Sequence, residues 1–272
     1  MSATPSTFAA TDQDRAAFAR DGVVILRGVL SDEEVGTLAR GIERNLEALS
    51  PLGMNATEPG KPGAFVEDFR NWQRIDEYEQ VIRGSALAPV AAELLASEQV
   101  RLFHDHLLVK EAGTIDRSPW HQDQPYYCID GSQTVSFWIP LDPVARPSTL
   151  EFVAGSHAEG KWYMPRSFVA KTAMVFDEGA LEEVPDVDAD RAAFDVKGWA
   201  MQPGDAVAFN MLTLHAAAGS PARRRAFSVR FVGDDVTWAP RPLRTSPPFD
   251  DVALAAGAPL DDPVFPVVWP PA

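Results

Sequence analysis

From Val100 to Val232 the chain is written in short β-rich runs separated by turns, and that texture limits the fold more than any other feature. The runs are Val100–Lys110, Trp120–Tyr127, Thr134–Leu141, Leu150–Val153, Ala206–His215 and Arg224–Val232. Repeated short strands bury their apolar faces by closing into a sandwich or barrel. In the last run Phe227, Val229 and Phe231 alternate with Arg224, Ala226, Ser228 and Arg230, so one face is apolar and the other polar. Thr134–Leu141 repeats the pattern, with Val135, Phe137 and Ile139 opposite Thr134, Ser136 and Trp138.

The N-terminal third reads differently. Residues 12–20 have helical composition, and Gly22–Leu30 (GVVILRGVL) reads as a strand. Ser31 and Glu34 form a capping box ahead of Val35, Leu38, Ala39 and Ile42, which recur at helical spacing. Residues 52–75 are loop-like, and Tyr78–Ala96 is a helix with an apolar face. Residues 1–10 read as a flexible N-terminus and 160–200 as an acidic insert or lid. The proline-dense stretch 238–272 reads as an extended tail wrapping the surface. Without a repeat or clear linker, residues 1–272 are expected to form one domain.

The formal net charge is −15, which leaves no basic footprint for nucleic acid. Cys128 is the only cysteine, so an internal disulfide is impossible and a reducing, cytoplasmic setting is the simpler reading. No apolar stretch is long enough to span a membrane, and neither a signal peptide nor a peroxisomal address is legible.

Chemistry concentrates in a few places. In Trp120-His121-Gln122-Asp123, an extended backbone would project His121 and Asp123 to one side, where both could ligate one metal. A His-x-Asp triplet alone is weak. Gln202-Pro203-Gly204-Asp205 is a turn, and AVAFNMLTLH reads as a strand ending in His215, followed by small residues that leave room for a metal. Taken singly, His215 reads more plainly as a strand-edge cap. On the Arg224 strand, the polar face either meets solvent or lines a cavity in which Arg224 grips a carboxylate with its planar fork. Two histidines and one carboxylate leave three octahedral positions open, which suits non-haem iron(II).

The chain resembles the phytanoyl-CoA dioxygenase family of iron(II)/2-oxoglutarate oxygenases over roughly residues 13 to 235. The motifs that carry the likeness are GVVILRGVLSDEEV, LLVKEAG, WHQD, FWIPLD, STLEFVAGSH, QPGDAVAFNMLTLH and RRAFSVRF, in that order. The resemblance implies a mainly β fold, a double-stranded β-helix (jelly-roll, cupin-like) core with flanking helices. It implies His121, Asp123 and His215 as ligands of Fe(II), and Arg224 as partner of the far carboxylate of 2-oxoglutarate. Gln122, Trp138, Lys110 and Ser228 match positions near that cosubstrate, and O2 is the oxidant. The usual Asn-Gly before the turn at Gly155 is Ser148-Thr149 here, and Ala154 stands where relatives have proline. The short loop after His215 keeps Arg225 open beside Arg224; parity favours Arg224, which shares a face with Ser228.

The carboxylate ligand bears on outcome, because halogenases of this kind replace it with a small residue. With Asp123 present, hydroxylation of a small organic substrate is expected. A cupin-like isomerase or hydrolase with the same ligands, or a non-catalytic metal-binding protein, is the competing reading. Tyr126, Tyr127 and Trp138 are candidates for an aromatic pocket wall, with Arg117, Arg146 or Arg166 at its mouth. His157 reads as a turn residue. His104 and His106 share a face with Lys110, which makes His106 a candidate pocket residue. The substrate and the oligomeric state are not legible.

Overall fold

The computed structural model describes residues 8–57, 60–115, 117–165, 181–242 and 245–271. The N-terminal elements are α1 (Asp12–Asp21), β1 (Val23–Leu26), α2 (Asp32–Glu47), β2 (Met54–Asn55), β3 (Phe65–Phe69), α3 (Asp76–Gly84) and α4 (Leu87–Leu95). After them come β4 (Val100–Lys110), β5 (Ser118–His121), β6 (Ile129–Asp130), β7 (Thr134–Pro140), β8 (Leu150–Val153) and β9 (Val196–Lys197). The last strands are β10 (Ala206–Phe209), β11 (His215–Ala217), β12 (Arg224–Val232), β13 (Thr237–Trp238) and β14 (Val267–Trp269).

Two antiparallel sheets form the jelly roll. The larger runs β1-β10-β7-β12-β4-β3-β2, with β14 added to the start of β4; the smaller runs β5-β11-β8-β9. Period-two alternation on β12 decides which way each side chain faces. Phe227, Val229 and Phe231 join Phe137, Ile139, Leu107 and Val109 in a core that the helices cover. Arg224, Ala226, Ser228 and Arg230 face the other way, into a cavity.

The helices are shaped by local chemistry. Ser31 and Glu34 form the expected capping box on α2, and Thr11 and Asp14 form another on α1. Leu38 and Ile42 of α2 are fully buried, each contributing about 1.5–3 kcal/mol. At Gly41 a Cβ would come within 2.9 Å of the Tyr78 ring, so the close approach of α2 and α3 requires glycine.

Several expectations need correction, among them the loop-like reading of 52–75, which holds β2 and β3. The single helix over Tyr78–Ala96 is two helices, because Ser85 is extended and its N–H closes α3 on the Val81 carbonyl. The strand over Trp120–Tyr127 stops at His121: Pro125 sits in a short 3-10 helix, Gln124–Tyr126, and Asp123 has helical φ and ψ. The strand ending in His215 is broken. The Asn210 side chain donates to the Ser132 and Thr134 carbonyls and accepts from Leu212, so the chain leaves the large sheet after Phe209 and joins the small one at His215.

The proline-dense C-terminal stretch is more than a surface tail. Phe249, Leu260 and Phe265 are buried against Phe103, Tyr127 and Trp238, forming a second core. Of the 160–200 insert, Val196–Lys197 adds a strand to the small sheet. Residues 166–180, with Arg166, lie outside the described residues, as do residues 1–7 of the N-terminus. Among the described residues no helix is long and apolar enough to cross a membrane.

Candidate metal centre and cosubstrate pocket

Strands β5 and β11 are neighbours, and their register sets His121 directly opposite His215. Facing residues of an antiparallel pair have Cβ atoms about 5 Å apart, which brings the imidazoles together; their ring centroids are 4.1 Å apart. Asp123 enters from the turn after β5, held where its own N–H and that of Gln124 both donate to the Met211 carbonyl. Oδ1 of Asp123 lies 3.6 Å from His121 Nε2 and 3.7 Å from His215 Nε2. One donor atom from each of the three residues falls within 4.8 Å of the others, the one such group among the described residues.

The groups behind these donors fit a metal. His121 Nδ1 lies 2.8 Å from the Pro119 carbonyl and His215 Nδ1 lies 2.9 Å from that of Thr213. Each contact needs a protonated Nδ1, which leaves a lone pair on Nε2 facing the shared point. Burial and the neighbouring His121 push the His215 imidazole down to about 3, so at neutral pH it is uncharged, as a metal-binding imidazole must be. Burial raises the Asp123 carboxyl, but the charge of Arg230 and the contact with His121 outweigh it and hold the group well below the usual carboxylate range. Arg230 reaches Oδ2 of Asp123 through Nε and Nη2, and Ser136 donates to the same oxygen at 3.3 Å. Oδ2 is thus engaged, and Oδ1 is left toward the histidines.

The cavity beside this cluster measures about 320 Å³, at the lower end of small-molecule sites. Arg224, Lys110, Trp138 and Ser228 all line it. Arg224 is buried, and burial pushes its guanidinium down to about 10. It donates to the Ser148 carbonyl, lies 5.6 Å from the Trp138 ring centroid, and meets no carboxylate among the described residues. A desolvated cation without a counter-ion is a site prepared for an anion. Arg225 points the other way, held bidentately by Asp142 and by Glu43 at 3.0 Å. Lys110 pairs with Arg224 across β4 and β12 and donates to the Ala218 carbonyl. The Ser228 hydroxyl donates to the Phe137 carbonyl.

Gln122 does not line the cavity. Its amide donates to the Leu212 and Lys161 carbonyls and accepts from the Tyr163 N–H, so both ends tie the small sheet to residues 161–163. Tyr126, Tyr127 and Trp138 form part of the wall, joined by Phe65, Phe69 and Phe209. Arg117 and Arg146 are tied to Asp188 and Glu151 and lie outside this cavity. His106 lines it; His104 is buried among Phe103, Tyr127 and Phe249 instead. His157 stands apart from the metal group, against Gly22. Sequence reasoning had no role for Glu67, and it put Arg230 on the polar face without linking it to Asp123. The parity of β12 was the available signal for Arg230.

Residues 18–226 match the sequence profile of phytanoyl-CoA dioxygenase (PhyH). The chain belongs to the PhyH family. Members of the PhyH family use Fe(II), 2-oxoglutarate and dioxygen, and the His121-Asp123-His215 group is the expected type of donor set. No curated protein matches the chain by sequence. Solved structures of similar fold include the non-heme alpha ketoglutarate dependent epimerase SnoN of nogalamycin biosynthesis, with a TM-score of 0.74 and 18% identity over 94% of this chain and 98% of that one. The carbocyclase SnoK of the same biosynthesis also has a TM-score of 0.74, with 21% identity over 97% and 99%. EctD from S. alaskensis, solved with 2-oxoglutarate and 5-hydroxyectoine, has a TM-score of 0.63 and 20% identity over 84% and 78%. At these identities the likeness establishes the jelly-roll PhyH fold of the chain.

Proposed function

We propose that this PhyH protein is an Fe(II)/2-oxoglutarate-dependent oxygenase that oxidises a C–H bond of a small organic molecule, with hydroxylation as its outcome. The observation that carries the reading is the coexistence, in one cavity, of a two-histidine, one-carboxylate group and a buried Arg224 that meets no carboxylate among the described residues. Bound together, Fe(II), 2-oxoglutarate and dioxygen supply an oxidant able to take a hydrogen atom from carbon, 2-oxoglutarate leaving as succinate and carbon dioxide.

The protein's part is positional and electrostatic. His121, His215 and Asp123 present three donors on one side and leave the remaining positions to the cavity. Arg224 takes the far carboxylate of 2-oxoglutarate through a charge-assisted pair, with Trp138 as a wall beside it. The Ser228 hydroxyl and the Lys110 ammonium border the same space. Arg230 and Ser136 keep Asp123 from rotating. The aromatic lining excludes water from the reacting carbon.

SnoN and SnoK, named an epimerase and a carbocyclase, favour a second outcome for the same oxidant: inversion or ring closure without oxygen insertion. Product mass separates the outcomes. A hydroxylated product is one oxygen atom heavier than substrate, a cyclised product two hydrogens lighter, and an epimer equal in mass. The experiment is anaerobic addition of Fe(II) and 2-oxoglutarate, read as a visible charge-transfer band, followed by a substrate screen read as succinate. Asp123→Ala, lacking the charged ligand, is expected to lose both signals; normal turnover in that variant would sink the assignment.

A further inference from the structure

The cavity holds a second polar pair that the metal and cosubstrate sites do not use. His106 of β4 lies opposite Ser228 of β12, and Glu67 of β3 lies opposite Leu108 on the far side of β4. Strands are about 4.8 Å apart. The pair is therefore displaced sideways from the line joining Arg224 to the metal group, toward the β3 edge of the sheet. Both side chains line the cavity, and both residues are more than nine-tenths buried.

The two groups touch each other, but the His106 ring is left without a well-aligned hydrogen bond. Nε2 of His106 is 3.2 Å from Oε1 of Glu67, but off the line of a hydrogen bond, and neither ring nitrogen has a hydrogen-bond partner. The ring is stacked on Phe69 with centroids 3.9 Å apart, which fixes its plane. A carboxylate offers about four lone-pair sites, and His106 is the one cation or donor near that of Glu67 among the described residues. Leaving such groups unmatched in a buried wall is costly, and a ligand that supplies a donor removes the cost. The surroundings are Phe65, Phe69, Tyr126 and Tyr127, which suit a ring.

We propose that Glu67 and His106 form the polar subsite for the prime substrate, taking the hydroxyl or amino donor of a ring-bearing organic molecule. The reaction at that molecule rests on the iron and 2-oxoglutarate reading; the donor preference of the subsite does not. Glu67→Gln keeps the shape and removes the charge. His106→Phe keeps the stack on Phe69 and removes both ring nitrogens.

The test uses 2-phenylethanol, 2-phenylethylamine and ethylbenzene, which share a ring and differ in the donor. Binding of each is measured by ligand-observed NMR on the anaerobic protein loaded with Fe(II) and 2-oxoglutarate. The wild type is expected to favour the alcohol or the amine over ethylbenzene by at least about tenfold. Both variants should lose that preference to within about twofold while keeping the charge-transfer band. Whether alcohol or amine binds better identifies the donor. Equal binding of the three probes, no binding of any, or a preference that survives both substitutions overturns the subsite. A wild type that shows the donor preference but no band overturns the iron reading alone.

Discussion

Arg230 and Asp123 form a buried fork, with Nε and Nη2 of the guanidinium at 3.2 and 3.1 Å from the single oxygen Oδ2. This pair sits between the sheet and the metal group, and it explains how a carboxylate with two equivalent oxygens offers one of them. It also makes a stability statement, because both side chains are removed from water.

Arg230→Met is expected to strand a buried carboxylate and to destabilise the metal-free protein by about 3–5 kcal/mol. Divalent metal should then recover part of the loss, since it binds the folded state alone. Urea unfolding with and without Mn(II) measures both effects; a variant as stable as the wild type without metal would show the fork to be energetically idle.

Arg224 and Arg225 are adjacent in sequence and face opposite ways, so their substitutions should separate cleanly. Arg224→Ala removes the proposed anchor, and a lost buried charge pair of about 3–5 kcal/mol raises the 2-oxoglutarate requirement more than a hundredfold. Arg225→Ala loses a partly exposed pair with Asp142 and Glu43, worth about 1 kcal/mol of stability. Succinate formation against 2-oxoglutarate concentration checks this. The reverse ranking would mean that the anchor is Arg225.

Burial pushes the Asp105 carboxyl up to about 6, although the N–H groups of Asn71 and Trp72 donate to it at 3.0 and 2.9 Å. An unfolded aspartate titrates near 3.9. The folded state therefore binds this proton more tightly. The stabilising contribution is full below about pH 4 and is lost as pH rises through about 6, in total about 3 kcal/mol. Asp105→Asn cannot titrate there, so wild-type stability relative to that variant should fall by this amount from about pH 4 to about pH 7. Parallel stability curves for the two proteins would refute the assignment.

Phe265 is fully buried, packed on Phe103, Trp238 and Phe249. Phe265→Ala is expected to cost about 3–5 kcal/mol in denaturant unfolding. A change within about 0.5 kcal/mol, the range of ordinary surface substitutions, would return this stretch to the role of a surface tail.

Local pattern carried much of the answer. Alternation on Arg224–Val232 and Thr134–Pro140 settled the inward and outward faces, because a strand has period two whatever it pairs with. Ser31 and Glu34 announced α2, because a capping box is satisfied within one turn. The ordered motifs pointed to His121, Asp123, His215 and Arg224 before any geometry was known.

Other features depend on residues far apart in the chain, and only the tertiary structure decided them. The His121 and Asp123 geometry does not come from an extended segment: the strand stops at His121, and the Met211 carbonyl, from a distant loop, holds Asp123 in a turn. His215 meets His121 because the chain changes sheets at Asn210, a break held by carbonyls of residues 132 and 134. Gln122 looked like a pocket residue, but backbone groups 39 to 90 residues away occupy its amide. The polar pairs Arg230–Asp123 and Glu67–His106 join segments that no short-range rule brings together. Period and capping act over a few residues and are legible in order; pairing across sheets is a property of closure, and closure exists only in the folded chain.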